Sequence, residues 1–418
     1  MLLSSDAASP DPMTTAPEAR EEAPSQAAGL PPAVKGLSLV SLFNDFASEM
    51  VYPLLPAFIT RTLGGGAELL GLLDGAADLT SAVLKVVSGR LADRPRWRGP
   101  LILGGYLTAV LVRPLIAVAS AAWQVVGFRV IDRVGKGIRT PPRDALIAGV
   151  TPPPLRGRAF GFHRGADHLG AVFGSLAAWY FLSHGFEVRR VIEWSVVPGI
   201  LAFLILAVVL RGVRLPSEAA SGTKPGPGSS PGAGGPVFWA PVLALTALTF
   251  FRLPEALLLL RLQDTGVAVA LVPLVWAGLH VVRSASSYPG GWLADRLGSR
   301  ATVAAGGLVF AAVATVLGLS LSPSAAVVTF LALGLVAGLT ESAERAMIAR
   351  LSPVRTGRGF GLYHALTGAT ALPAGLIFGW IYQSVSGPAA LAASAVGMAA
   401  AVALWLGASP GIRESGAA

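Results

Sequence analysis

Cysteine is absent from this chain of 418 residues, and charged side chains are scarce. Without cysteine the protein can form no disulfide and offers no thiolate to a metal. Only 13% of the residues are charged, about half the share of an ordinary soluble protein, while 53% are hydrophobic. The sequence also lacks the Gly-x-x-x-x-Gly-Lys-Ser/Thr loop that an ATP-driven pump needs. These absences argue against a soluble protein and indicate a membrane protein that does not hydrolyse ATP.

The basic excess of the chain does not indicate a nucleic-acid partner. The formal net charge is +9, but the arginines lie in short stretches between long apolar runs, as in loops at one face of a membrane. The histidines show no metal-ligand spacing, since His163 and His168 at i, i+5 do not share a helix face. We therefore expect no nucleic acid, no metal and no cofactor.

Apolar stretches of roughly 20 residues, long enough to cross ~30 Å of hydrocarbon, recur along the chain. They predict an all-α integral membrane protein with twelve transmembrane helices. The predicted spans lie near residues 37–60, 67–89, 100–120, 122–147, 158–182, 191–210, 237–260, 266–290, 301–320, 324–349, 358–382 and 388–407.

Two loops share the tetrapeptide Leu-Ala-Asp-Arg and mark an internal repeat. They occupy Gly89–Arg98 and Gly291–Arg300, and their aspartates are 295 − 93 = 202 residues apart. A second motif, Gly-Arg-x-Phe-Gly, stands at 157–161 and returns 200 residues later. Such a repeat in an apolar chain is typical of a transporter built from two related halves.

The loop motif resembles the signature of the major facilitator superfamily, Gly-x-Leu-Ala-Asp-Arg-x-Gly-Arg-Lys between helices 2 and 3, with a weaker copy between helices 8 and 9. The second copy keeps the glycine at Gly298, whereas the first has Arg96 there. The resemblance extends from Lys35 to about Leu406. It implies a bacterial, twelve-helix transporter of two pseudo-symmetric six-helix bundles.

In that family the motif forms a network that latches the halves in the outward-open state. The resemblance therefore implies that Asp93 faces the start of span 11 and that Arg94 reaches a carboxylate of span 4, for which Asp144 is the candidate. The expected gating residues are Gly89, Asp93, Arg94, Asp144, Gly291, Asp295 and Arg296.

The remaining segments complete the domain organisation. Residues 1–34 are rich in Ala, Ser, Pro and acidic residues and predict a disordered cytoplasmic tail. The first bundle follows at 35–210, a Gly/Pro/Ser-rich linker at 211–236, the second bundle at 237–407 and a short tail at 408–418. Arginine and lysine concentrate in the joints on the linker's side, which predicts cytoplasmic termini. The abundance of arginine over lysine and of alanine, glycine and proline indicates a bacterial chain, and hence the bacterial inner membrane.

Charged side chains at membrane depth are costly and usually face a cavity, so each is a functional candidate. Asp45, Glu49 and Tyr52 share one helix face in span 1, as do Asp74 and Asp78 in span 2. The candidates for proton coupling or for the substrate cavity are Asp45, Glu49, Asp74, Asp78, Arg129, Asp132, Arg133, Arg164, Asp167, Arg252, Glu255 and His280.

Several assignments stay open at the level of sequence. The family resemblance implies one arginine of helix 4 in proton coupling, and Arg129 and Arg133 both fit. Residues 136–144 either continue span 4 or have emerged into cytoplasmic solvent. The two consecutive prolines in this stretch would favour the second alternative. Arg252 and Glu255, at i, i+3, are expected to neutralise each other rather than bind substrate.

These patterns predict a secondary active transporter rather than a membrane-embedded enzyme or another membrane protein without transport activity. Gly170-x-x-x-Gly174 resembles the helix-5 signature of antiporters without its proline, although small residues at this spacing also serve helix packing. Proton-driven efflux by antiport is the first expectation, and proton-coupled uptake by symport is the alternative. The expected partners are a small-molecule substrate, protons and the lipid bilayer, with the protein acting as a monomer.

Overall fold

The computed structural model of the protein describes residues 29–92, 94–152, 156–212, 236–319, 322–351 and 356–408. Within these ranges the chain is helical and contains no β-strand. Its twelve long helices, two of them in two segments, are α1 (Pro32–Val51), α2 (Ala67–Ala92), α3 (Pro95–Leu115), α4 (Ala122–Val150), α5 (Arg156–Ser183), α6 (Val188–Trp194 and Val196–Gly212), α7 (Pro236–Phe251 and Glu255–Asp264), α8 (Val272–Leu297), α9 (Ser299–Leu319), α10 (Pro323–Leu351), α11 (Thr356–Ser384) and α12 (Gly387–Ala408).

The twelve predicted helices are confirmed, with one correction. Helix α1 begins at Pro32, inside the stretch expected to be a disordered tail, because a proline is favoured in the first helical turn. Helix α4 runs without interruption through its two prolines to Val150. Arg139 lies within that continuation and is only 3% exposed. It donates to the carbonyl of Gly105 at 3.1 Å, so of the two alternatives left open for this part of span 4 the structure supports a buried continuation of the helix at Arg139.

Eight of the twelve helices are long and apolar enough to cross a membrane by length and composition alone. The other four are α1, α2, α4 and α5, all in the first half of the chain. These are the helices in which the sequence places most of its intramembrane charges. The cost of such charges must be offset by polar surroundings. We therefore expect α1, α2, α4 and α5 to place their charged side chains against a polar cavity or against each other.

Helices α1 and α7 are both interrupted, and at equivalent positions. Regular α-helix ends at Val51 and gives way to short 3-10, α and π turns through Thr62, with Pro53 at the break. The second copy breaks at Pro254, and 254 − 53 = 201 matches the spacing of the sequence repeat. A proline lacks the N–H that a continuous helix needs, so each break leaves backbone groups that another partner can satisfy.

The two halves meet along α2 and α11, and along α5 and α8. Glycines set the closest approach between α2 and α11: a methyl group added at Gly71 would overlap the carbonyl oxygen of Gly375. Within the first half, Gly170 and Gly174 of α5 face the backbone of α1 in the same way. That Gly-x-x-x-Gly pair therefore serves helix packing.

Candidate transport cavity

A cavity of about 440 Å³ lies between the two halves. Helices α1, α2 and α4 line it on one side, and α7, α8 and α11 on the other. It brings together eight of the twelve residues that the sequence predicts for coupling or substrate binding: Glu49, Asp74, Asp78, Arg129, Arg133, Arg252, Glu255 and His280. A polar cavity at the interface of two repeats is the usual place of a transporter's substrate site.

The break in α7 is bonded to the opposite half by Asp74 of α2. Its Oδ2 accepts a hydrogen bond from the backbone amide of Ala256, at 2.9 Å. The same carboxylate accepts from the hydroxyl of Tyr52 at 3.0–3.1 Å. Asp74 therefore caps the second segment of α7, where free amides and the helix dipole favour a negative charge.

Two further bonds join the halves. Oε2 of Glu49 accepts a hydrogen bond from the indole N–H of Trp276 at 2.8 Å. The side-chain oxygen of Gln383, in α11, accepts from the backbone amide of Ala67 at the start of α2, also at 2.8 Å. Asp74 and Gln383 thus each satisfy a helix start in the opposite half. Together with the glycine contacts of α2 and α11, these bonds close one end of the cavity.

A buried charge cluster supports α4 behind the cavity wall. Asp132, 2% exposed, pairs with Arg113 of α3 at 2.9 Å. Arg129 and Arg133 lie farther from the same carboxylate, at 3.7 and 4.0 Å. Arg113 also donates to the carbonyl of Asn44 at 2.8 Å, which ties α1, α3 and α4 together. One carboxylate thus faces three guanidinium groups, and the surplus positive charge belongs to α4.

Arg129 contacts Tyr52 in addition to facing Asp132. The guanidinium of Arg129 lies 4.7 Å from the ring centre of Tyr52, close enough for a cation–π contact. Its Nε is buried without a hydrogen-bond partner within the described residues. Both arginines line the cavity, so the geometry does not choose between them as the family's helix-4 arginine.

The predicted pairing of Arg252 with Glu255 is wrong. Arg252 turns to Glu344 of α10, 3.7 Å away, and to the hydroxyl of Thr340. Glu255 forms its ion pair with Arg283 of α8. Residues three apart on a helix can meet, but the break at residues 252–254 separates these two into different segments, and partners on neighbouring helices are closer.

Four predicted residues do not line the cavity. Asp132 lies in the arginine cluster, and Asp45 accepts a hydrogen bond from its neighbour Asn44 at 2.9 Å. Arg164 and Asp167 form the predicted i, i+3 contact at 3.9 Å. Arg164 also reaches Glu341 of the second half at 3.7 Å, a partner that the sequence did not indicate.

The expected gating residues are only partly described. Asp93 and the side chain of Asp295 lie outside the described part of the structure, and Gly291 lies within α8. Gly89 lies in the last turn of α2, and Arg296 is exposed near the end of α8. Asp144 pairs with its neighbour Arg143 at 2.9 Å, and Arg94 is exposed at the start of α3. No ion pair joins Arg94 to Asp144 within the described residues, so the predicted contact between them is wrong.

Sequence reasoning missed several cavity and support residues. Arg113 stands alone in the apolar run of span 3, a signal that could have identified it. Arg283, one turn beyond His280 on the same helix face, and Glu344 in span 10 are intramembrane charges, so the sequence did give a signal for both. Trp276 and Gln383 gave no such signal, because an isolated indole or amide becomes important only through a partner on another helix.

The fold and the cavity define a multi-pass membrane transporter of two six-helix halves. The family model of the Major Facilitator Superfamily matches residues 37–279 and 256–416. The chain belongs to that superfamily.

Relatives in other organisms fit this assignment. An uncharacterised MFS-type transporter of Methanocaldococcus jannaschii is 27% identical over 365 residues, 83% of this chain and 87% of that protein. An uncharacterised protein of Mycobacterium tuberculosis is 27% identical over 357 residues, 82% of this chain and 84% of its own. The multidrug resistance protein MdtH of Photorhabdus laumondii is 29% identical over 175 residues, 42% of each chain.

Solved structures share the fold. A bacterial homologue of the human lysosomal transporter Spinster, in an inward-facing and unoccupied conformation, matches with a TM-score of 0.64 at 20% identity. The match covers 90% of this chain and 95% of that one. A POT family transporter in complex with a thioalcohol-conjugated peptide gives a TM-score of 0.74 at 10% identity, covering 90% and 96%. At these identities the likeness concerns the fold alone.

Proposed function

We propose that this transporter is a proton-driven exporter, an antiporter of a small molecule in the bacterial inner membrane. It acts as a monomer with both termini in the cytoplasm, the side favoured by its basic joints. One observation carries the coupling: the carboxylate of Asp78 is accessible in the cavity and has no hydrogen-bond or ion-pair partner within the described part of the chain.

An unpaired carboxylate in a confined cavity suits proton exchange. Protonation removes a charge that is costly in a low dielectric, so proton and substrate can compete for the same group. Glu49 is the second carrier candidate, because its partner is the uncharged indole of Trp276. A carboxylate held in an ion pair, such as Asp132 beside Arg113, would be far less suited to release and rebind protons.

Export is supported by the relatives that are multidrug resistance proteins, although they match only part of the chain. Alternating access would follow from making and breaking the bonds of Asp74, Glu49 and Gln383 between the halves. The protein would exchange between a state in which these bonds are formed and a state in which they are broken, and a proton or substrate that binds the second state more tightly would increase its population. In the second state Asp74 and Glu49 would lose their partners in the other half.

The test uses everted vesicles energised to be acidic inside, with a fluorescent amine that reports the pH gradient. A panel of cationic, anionic and zwitterionic compounds is added one at a time. A substrate of an antiporter enters the vesicle as protons leave, so the gradient collapses. A substrate of a symporter carries protons inward and does not collapse it, which would replace export by uptake.

The carrier assignment is tested with the compound found in that panel. Asp78→Asn and Glu49→Gln should abolish gradient-driven transport but, at saturating substrate, leave exchange of labelled for unlabelled substrate without a gradient. Arg190→Gln, which alters an exposed ion pair with Glu193 far from the cavity, is the matched control. Normal gradient-driven transport with an unchanged pH dependence in both acid variants would remove the carrier assignment.

A further inference from the structure

The charges that line the cavity are segregated by sign. The acidic wall is formed by Glu49 of α1 and by Asp74 and Asp78 of α2. None of these three carboxylates forms an ion pair within 4.0 Å in the described chain. Their contacts are to uncharged donors, the indole of Trp276 for Glu49 and an amide and a hydroxyl for Asp74. This wall therefore carries negative charge without a direct ion pair.

The opposite sign is collected on α4. Arg129, Arg133 and Lys136 line the cavity, and the carboxylate nearest to the two arginines is Asp132, which already pairs more closely with Arg113. The ammonium group of Lys136 is accessible and has no hydrogen bond or ion pair within the described residues. The basic wall therefore forms no direct ion pair with the acidic wall.

Tyr52 stands between the two walls. Its hydroxyl donates to Asp74, and its ring carries the guanidinium of Arg129 on one face, 4.7 Å from the ring centre. The side chain of Tyr52 thus contacts one acidic residue and one basic residue of the two walls at once.

The second half is balanced by comparison. Arg252 pairs with Glu344, and Arg283 with Glu255. Arg283 also lies over the ring of Trp276. Since these charges compensate each other, the electrical asymmetry of the cavity belongs to the first half. Asp78 in the acidic wall and Lys136 in the basic wall are the accessible charged residues whose side chains have no ion-pair partner within the described residues.

We propose that the substrate is a zwitterion, a small molecule with a cationic group for the acidic wall around Asp78 and an anionic group for the basic wall around Lys136. The inference rests on the proposed transport function and names its substrate class. A ligand with one charge would leave the other wall uncompensated in a confined site, whereas a zwitterion compensates both without adding net charge. The cavity of about 440 Å³ lies within the range that holds drug-sized ligands.

The experiment measures binding to the purified full chain in detergent, by ligand-induced thermal stabilisation and titration. The probes are matched triplets of aromatic amino acids, dipeptides and tripeptides: the zwitterion, its methyl ester, which is a cation, and its N-acetyl derivative, which is an anion. We expect at least one zwitterion to bind about tenfold or more tightly than both of its derivatives. If no zwitterion binds more tightly than both derivatives, the proposal is wrong.

Two variants test which charged group of the ligand binds to the acidic wall and which binds to the basic wall. Asp78→Asn should reduce the affinity of the zwitterion to that of its N-acetyl form and leave the N-acetyl form unchanged. Lys136→Gln should reduce it to that of the ester and leave the ester unchanged. Arg190→Gln should change neither. Equal weakening of all three forms by both cavity variants would overturn the assignment, and Glu49→Gln and Arg133→Gln replace any variant that does not fold.

The measurement needs no proton gradient, so its outcome is separate from that of proton coupling. If only singly charged compounds collapse the gradient in everted vesicles, antiport stands and the zwitterion proposal falls. If zwitterions bind as expected but collapse no gradient, the substrate class stands and proton-driven export falls.

Discussion

The Asp74 carboxylate of α2 accepts a hydrogen bond from the backbone amide of Ala256, 182 residues away in the opposite half. This contact joins the acidic wall of the cavity to the start of the second segment of α7, where the break at Pro254 leaves amides without helical partners. Where α2 meets the second segment of α7, closure of the cavity therefore depends on the hydrogen bond that Asp74 accepts from the first turn of that segment.

Asp74→Ala should favour opening at this end of the cavity. A hydrogen bond to a charged group contributes ~1.5–3 kcal/mol, so its loss should raise the open population by about tenfold or more. Because the chain has no cysteine, Thr249→Cys in the cavity wall is a reporter without background. Its labelling by an impermeant maleimide added from outside the cell should accelerate. Asp74→Asn keeps an acceptor oxygen and should change the rate much less.

Gln383→Leu removes the bond to the Ala67 amide, and it should accelerate the same labelling without altering the charge of the cavity. Gln383→Glu retains the acceptor and serves as the control. Equal labelling rates in Gln383→Leu and the parent protein would show that this bond does not contribute to closure.

Gly71→Ala should obstruct closure of the halves, since the added methyl group would overlap the carbonyl of Gly375. We expect loss of transport with faster external labelling of the Thr249→Cys reporter. Gly127→Ala is the matched control, because the space around Gly127 is open and alanine favours a helix by ~1 kcal/mol over glycine. Similar transport rates for the two variants would contradict the close packing of α2 on α11.

Asp132→Asn should destabilise the folded protein rather than alter selectivity. Removing one partner of a buried ion pair costs ~3–5 kcal/mol, and here it leaves three guanidinium groups without their shared carboxylate. The thermal unfolding midpoint in detergent should fall clearly, as should the yield from membranes. Arg190→Gln, at the exposed pair with Glu193, should leave both unchanged. A normal midpoint for Asp132→Asn would contradict the structural role of the cluster.

The Leu-Ala-Asp-Arg loops are predicted to gate. Asp93→Asn should leave the protein folded in the membrane while slowing transport strongly, and Asp295→Asn should slow it less. The measurement is the initial transport rate of purified protein in proteoliposomes, normalised to folded protein. An unchanged rate for Asp93→Asn would remove the latch assignment that the family resemblance implies.

The architecture could be predicted from the amino-acid sequence, because a bilayer dictates both the length and the apolar character of every spanning helix. The spacing of the two Leu-Ala-Asp-Arg loops determined the two halves, and intramembrane charges identified most of the cavity's polar residues. These features are local or periodic, so they can be read without knowing which helices touch.

The partner of each charged side chain became clear only from the packing of the helices. Arg252 and Glu255 are neighbours in sequence, yet each pairs with a different helix, because an ion pair depends on distances across helices rather than along one. The same holds for Glu49 with Trp276 and for the contacts of Tyr52 with Asp74 and Arg129. Electrostatic energy depends on the environment and distance of each group, and the packing of α1, α2 and α4 sets both.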